Sequence, residues 1–216
     1  MNTVAEVLVR ANGKRLGATL SIPHEAQGIV LFAHGSGSSR HSPRNVYVAR
    51  SLNTHAIATL LLDLLTDEED EIDRRTAGLR FDIGLLSQRL SLATRWCRKQ
   101  PETAKLRIGY FGASTGAGAA LRAAATHSEV GAIVSRGGRP DLAGEALAQV
   151  TAPTLLIVGE RDEAVLDLNR RAAAQLRARH EIAIVADATH LFEEPGALEQ
   201  VASLAQNWFM RYLSAA

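Results

Sequence analysis

Much is missing from this sequence, and each absence excludes something. There is one cysteine, Cys97, so neither an internal disulfide nor a cysteine-built zinc site can form. It lies in Arg95-Trp96-Cys97-Arg98, inside a helical pattern, and reads as a packed thiol rather than a nucleophile. Neither sign of charge is in surplus: 24 Lys and Arg against 23 Asp and Glu leave a formal net charge of +1. With no long basic run or basic-aromatic stripe either, no nucleic-acid partner is expected. No apolar run approaches about 18 residues, which excludes a membrane-spanning helix, and no membrane partner is expected. The opening residues Met1-Asn2-Thr3-Val4-Ala5-Glu6 lack the basic, apolar and small-residue zones of a signal peptide. A cytoplasmic location is the resulting expectation. Repeats and linker-like stretches are also missing, so the 216 residues are expected to form one domain, 1–216.

What is present is alternation. Val4–Arg10 and Arg15–Ile22 flank Asn12-Gly13, a pair that tolerates positive φ, and predict a hairpin. Gly28–Ala33 is a short apolar run suited to a strand buried on both faces. Further strands are predicted at 56–62, 106–111, 130–135, 154–158 and 181–185. Helices are predicted at 44–55, 82–100, 117–126, 163–179 and 197–213. On the last helix Trp208, Phe209 and Tyr212 read as core. Asp67-Glu68-Glu69-Asp70-Glu71-Ile72-Asp73 reads as a solvated loop. Repeated strand–helix alternation implies an α/β fold, a mostly parallel sheet with helices on both faces. Right-handed crossovers gather the strand exits on one edge, where open α/β sheets bind ligands.

One strand exit carries a chemical pattern. Gly112-Ala113-Ser114-Thr115-Gly116 fits Gly-x-Ser-x-Gly between a predicted strand and a predicted helix. A sharp turn there lifts a serine hydroxyl off the sheet, and the glycines let the backbone bend. A serine nucleophile needs a base, and His190 lies just past the last strand, on the same edge. The other histidines sit at element ends away from that edge, or, for His34 and His41, in or after the 34–40 loop, where His34 suits bracing. The base needs an orienting carboxylate. Asp162, in the exit loop Gly159-Glu160-Arg161-Asp162, fits best, with Glu160 and Asp187 as weaker alternatives. Ser114, Asp162, His190 is the chain order this strand–turn–helix arrangement expects. Backbone N–H groups of Thr115 and Ser36 are the expected oxyanion hole. No strand is followed by Gly-Lys-Ser/Thr or G-x-G-x-x-G, which disfavours a nucleotide loop.

These residues resemble the α/β-hydrolase fold over essentially the whole chain, and within it the dienelactone-hydrolase-like branch. His34-Gly35-Ser36-Gly37-Ser38-Ser39-Arg40, Leu61-Leu62-Asp63-Leu64-Leu65-Thr66 and Ser135-Arg136-Gly137-Gly138-Arg139-Pro140-Asp141-Leu142 look like a bacterial subgroup of it. Members of that subgroup sometimes occur fused to phosphoribosyltransferase-like domains. Dienelactone hydrolases proper carry cysteine where this chain has Ser114. The resemblance therefore implies a serine hydrolase of carboxylic esters, working without cofactor or metal. Thioester hydrolysis, acyl transfer, perhydrolysis, or a non-catalytic binding module on the same fold are the alternatives. The stretch between Asp63 and Asp82 is the longest insertion, so a minimal lid and small, fairly soluble ester substrates are expected. Arg136, Arg40 and Arg139 lie at strand exits, where Arg136 and Arg40 could contact substrate or brace loops. The pattern does not indicate an oligomeric state.

Overall fold

The computed structural model describes residues 3–214. Strands β1 (Thr3–Ala11) and β2 (Lys14–Ile22) form the hairpin, turning at Asn12 (φ 49°) and Gly13 (φ 79°). Two successive positive φ angles match the right-handed twist of the flanking strands. Strands β3 (Gly28–Ala33) and β4 (Ile57–Leu62) are buried along their whole length. Then come β5 (Arg107–Ala113), β6 (Val130–Arg136), β7 (Thr154–Gly159) and β8 (His180–Val185). The described residues make one eight-stranded sheet in the order β1-β2-β4-β3-β5-β6-β7-β8. β2 runs antiparallel to β4, and every pair from β4 through β8 is parallel.

Period-two alternation divides the core. Ile29 and Leu31 face helices α3 (Ile83–Cys97), α4 (Thr115–Ala124) and α5 (Glu163–Ala173). Val30 and Phe32 face helices α1 (Pro43–Asn53) and α6 (Ala197–Leu213). On the second face Phe32 stacks on Phe111 with centroids 4.8 Å apart. Trp208 and Phe209 are buried there as expected, with Tyr212 packed beside them. Burying each such side chain contributes on the order of 1.5–3 kcal/mol. Cys97 is wholly buried on the other face, and burial pushes its thiol up to about 12, which suits a packing role.

The acidic run is not a loop. It forms helix α2 (Asp67–Thr76), started by a reciprocal cap. The Thr66 hydroxyl accepts the Glu69 N–H (3.2 Å), and the Glu69 carboxylate accepts the Thr66 N–H (2.9 Å). Four acids in the first turn and Arg74 and Arg75 in the last complement the helix dipole. Two of the acids are structural: Glu69 pairs with buried Arg89 (2.8 Å), and buried Asp73 accepts the N–H groups of Leu79 and Arg80 and the Arg80 guanidinium. Helix α5 also ends earlier than its pattern suggests, at Ala173 rather than Arg179. Pro140–Gln149, unassigned by periodicity, is a 3-10 segment kinked at Gly144. Among the described residues no helix is long and apolar enough to cross a membrane.

Candidate active site

Ser114 occupies the turn between β5 and α4 with φ 49° and ψ −122°, a region that costs a non-glycine residue about 1–3 kcal/mol. The fold holds it there by three backbone bonds. Its N–H donates to the Arg136 carbonyl (3.2 Å), and its carbonyl accepts from Ala117 (3.0 Å) and Arg139 (3.0 Å). The two flanking glycines are sterically required. A Cβ at Gly116 would stand 2.2 Å from the Ala33 carbonyl oxygen, and one at Gly112 would stand 2.4 Å from the Ala117 Cα.

Asp162 begins α5 but its side chain caps nothing there. It accepts instead from His190 Nδ1 at 2.6 Å. That bond fixes the tautomer with the proton on Nδ1, leaving Nε2 as the acceptor. The two alternative carboxylates are spent on the frame around this pair. Glu160 accepts the Asp187 N–H (2.9 Å), and Asp187 pairs with Arg161 (2.6 Å). Both contacts tie the loop after β7 to the loop after β8.

Ser114 and His190 line one cleft of about 260 Å³, together with Ser36, Arg44, Asn45 and Arg136. No direct hydrogen bond joins Ser114 to His190 in this arrangement among the described residues; such contacts commonly tighten only around substrate. A larger depression of about 590 Å³, beside His41 and Arg74, contains neither residue, and among the described residues no carboxylate orients its histidine as Asp162 orients His190. Thr115, at the first position of α4, has an N–H that helix geometry leaves free. The Ser36 N–H makes no hydrogen bond among the described residues. The loop bearing it is pinned by His34, whose Nε2 accepts the Leu64 N–H (3.1 Å) and whose Nδ1 donates to the Gly35 carbonyl (2.9 Å). Burial keeps His34 below the ordinary histidine range, so the neutral ring that both bonds need is favoured.

The arginines divide. Arg40, a candidate for substrate contact, lies outside the cleft: its guanidinium and backbone N–H engage Asp63, and its Nε donates to Glu6 (3.3 Å). It braces the loop after β3 against the loop after β4. Arg139 grips Asp141 through two bonds of 2.9 and 2.8 Å. Arg136 is the last residue of β6, 6% exposed, and lines the cleft. Sequence reasoning missed Arg44 and Asn45. The Ser42-Pro43 start signal of α1 puts them in its first turn, and the packing of α1 on β4 and α6 brings that turn to the cleft.

A family model described as "Alpha/beta hydrolase domain" matches residues 26–208. The chain belongs to the alpha/beta hydrolase family. Its fold is dienelactone-hydrolase-like. The crystal structure of a dienelactone hydrolase from Anabaena variabilis ATCC 29413 is 58% identical, with TM-score 0.97, over 98% of this chain and 99% of that one. Est1E from Butyrivibrio proteoclasticus shares the fold at 15% identity and TM-score 0.80, over 95% of this chain and 98% of that one. A Mycobacterium tuberculosis (strain ATCC 25618 / H37Rv) protein named "Putative phosphoribosyl transferase" is 57% identical over 96% of this chain. This chain spans only 46% of that relative's length.

Proposed function

We propose that this protein is a serine hydrolase of small, fairly soluble carboxylic esters. The observation that carries the reading is the 2.6 Å bond from Asp162 to Nδ1 of His190, a ring that lines one cleft with Ser114 on its strained turn. The Ser114 hydroxyl attacks the acyl carbonyl while His190 Nε2 takes its proton. Asp162 holds the ring and stabilises the imidazolium. The Thr115 and Ser36 N–H groups receive the oxyanion, and the N-terminus of α4 adds its positive field. His190 then protonates the leaving alkoxide, which departs and leaves Ser114 acylated. Water, deprotonated by His190, releases the acid and restores the serine.

The dienelactone hydrolase name of the Anabaena relative supports hydrolysis at an acyl carbon. The transferase name of the mycobacterial relative we assign to the part of it that this chain does not cover. The reading is tested with a fluorophosphonate probe and a panel of p-nitrophenyl and lactone esters varied in acyl length. Labelling and turnover that vanish in Ser114→Ala are expected. A folded wild-type protein that neither labels nor turns over any ester would overturn the reading.

A further inference from the structure

We propose that the cleft beside Ser114 contains an anion subsite, formed by the Arg136 and Arg44 guanidiniums, that takes a phosphate group carried by the ester substrate. The proposal rests on the ester-hydrolase reading and names the substrate class of that same site.

Arg136 is unlike the other buried arginine. Arg89, 5% exposed, is matched to Glu69 at 2.8 Å. Arg136, 6% exposed, has no ion pair and no side-chain hydrogen bond among the described residues, and its Nε is buried without a partner. Its guanidinium lies over the Phe192 ring, 5.9 Å from Cζ to the centroid. A buried, unmatched guanidinium is costly to keep, and an opposite charge supplied by substrate relieves that cost. Its carbonyl accepts the Ser114 N–H, so this cation is rooted next to the nucleophile.

Arg44 supplies the second charge. It occupies the second position of α1, near the positive end of the helix dipole, and no acid stands in that first turn. Among the described residues its Nε is likewise buried and unpartnered, and its one ion pair is with exposed Glu193 at 3.3 Å. After burial, the charge of Arg44 is what pushes Arg136 down, to about 10; no carboxylate offsets it. The two cations therefore repel across a cleft that also holds Asn45, 2% exposed, with its amide oxygen unpartnered. An anion between them converts one repulsion into two attractions. A carboxylate balances Arg136 alone; a phosphate monoester dianion also draws Arg44 from its exposed partner Glu193 and offers three acceptor oxygens to the two forked donors.

The test compares short p-nitrophenyl esters whose acyl chain ends in methyl, carboxylate or phosphonate, and a matching acetate ester series of neutral, carboxylated and phosphorylated alcohols. In at least one series kcat/KM for the dianionic member is expected to exceed that of the neutral member at least tenfold. Arg136→Gln and Arg44→Gln should each bring that ratio to within about threefold of one. Binding of inorganic phosphate to the Ser114→Ala protein, followed by calorimetry, gives a readout that needs no turnover. It should weaken at least tenfold when Arg44→Gln is added, which holds the test even if Arg136→Gln does not fold. Equal rates for neutral and dianionic esters in both series, or a carboxylate used as well as the dianion, overturn the subsite while Ser114 labelling keeps the hydrolase reading intact. Absence of Ser114 labelling overturns both.

Discussion

Asp162 stands at the start of α5 yet turns its carboxylate away from the helix and onto His190 Nδ1, 2.6 Å distant. A capping residue that forgoes its cap is acting on something else. Asp162→Asn keeps the size but favours the wrong ring tautomer, since an amide nitrogen facing Nδ1 calls for an acceptor there. Ester turnover should fall by about 10⁴ in kcat with little change in KM. Steady-state kinetics at pH 7 to 8 check this, and a loss confined to KM would contradict the role.

Ser114 pays for its position in backbone strain. Ser114→Gly removes both the hydroxyl and the Cβ that dislikes φ 49°. The variant should be inactive but no less stable than the parent, with thermal unfolding raised by about 2–4 °C for a gain near 1 kcal/mol. Ser114→Ala, which retains the Cβ, should be inactive without that rise. Calorimetry of the two variants side by side separates strain from chemistry.

Gly116→Ala should fail differently. Its new Cβ would meet the Ala33 and His34 carbonyl oxygens at 2.2 and 2.5 Å, and both belong to the backbone. The turn must shift or α4 must lift from β3. Loss of soluble protein, or a stability drop of about 3 kcal/mol or more, is the expected outcome in chemical denaturation.

The Arg89–Glu69 pair makes a pH prediction. Burial alone would raise the Glu69 carboxyl, but the Thr66 N–H and the Arg89 guanidinium outweigh it and hold the group below the ordinary range. A folded-state value below the unfolded one stabilises the protein above the unfolded value of about 4.3, and that stability is lost as pH falls through the folded value. Glu69→Gln should therefore be less stable than the parent at pH 7, with the difference shrinking below pH 4. Urea midpoints at the two pH values measure it.

Arg136 predicts the opposite sign. Burial, then Arg44, lower its guanidinium to about 10, so the protonated form burdens the folded state at every pH below that. Arg136→Met, of similar length and without charge, should melt higher than the parent at pH 7 despite losing contact with Phe192. A lower melting temperature would mean that the Phe192 contact outweighs the unmatched charge.

The legible parts of this chain were those where one local cue decides the structure. Gly28–Ala33 has no polar residue to compete with burial, and Asn12-Gly13 admits few turns. The serine turn announced itself because only glycine fits at 112 and 116. The acidic run was misread because its charge outweighed a quieter signal. Thr66 and Glu69, spaced three apart, are a helix start, and Arg80 and Arg89 neutralise the run from outside its own window. Arg44 and Asn45 were missed because their place at the cleft comes from how α1 packs on β4 and α6, which no local pattern encodes. Arg40 was misplaced for the same reason: its acceptors, Glu6 on β1 and Asp63 in the loop after β4, are distant in sequence.

The crossbars from Glu160 to Asp187 and from Arg161 to Asp187 join two turns that are far apart in the chain. Carboxylate and imidazole consequently ride on a single rigid bracket, and thermal breathing of either turn carries its counterpart along. Anyone grafting segments from a homologue would do best to exchange residues 159–162 and 185–190 as a set, because the Arg161–Asp187 crossbar needs a side chain from each turn.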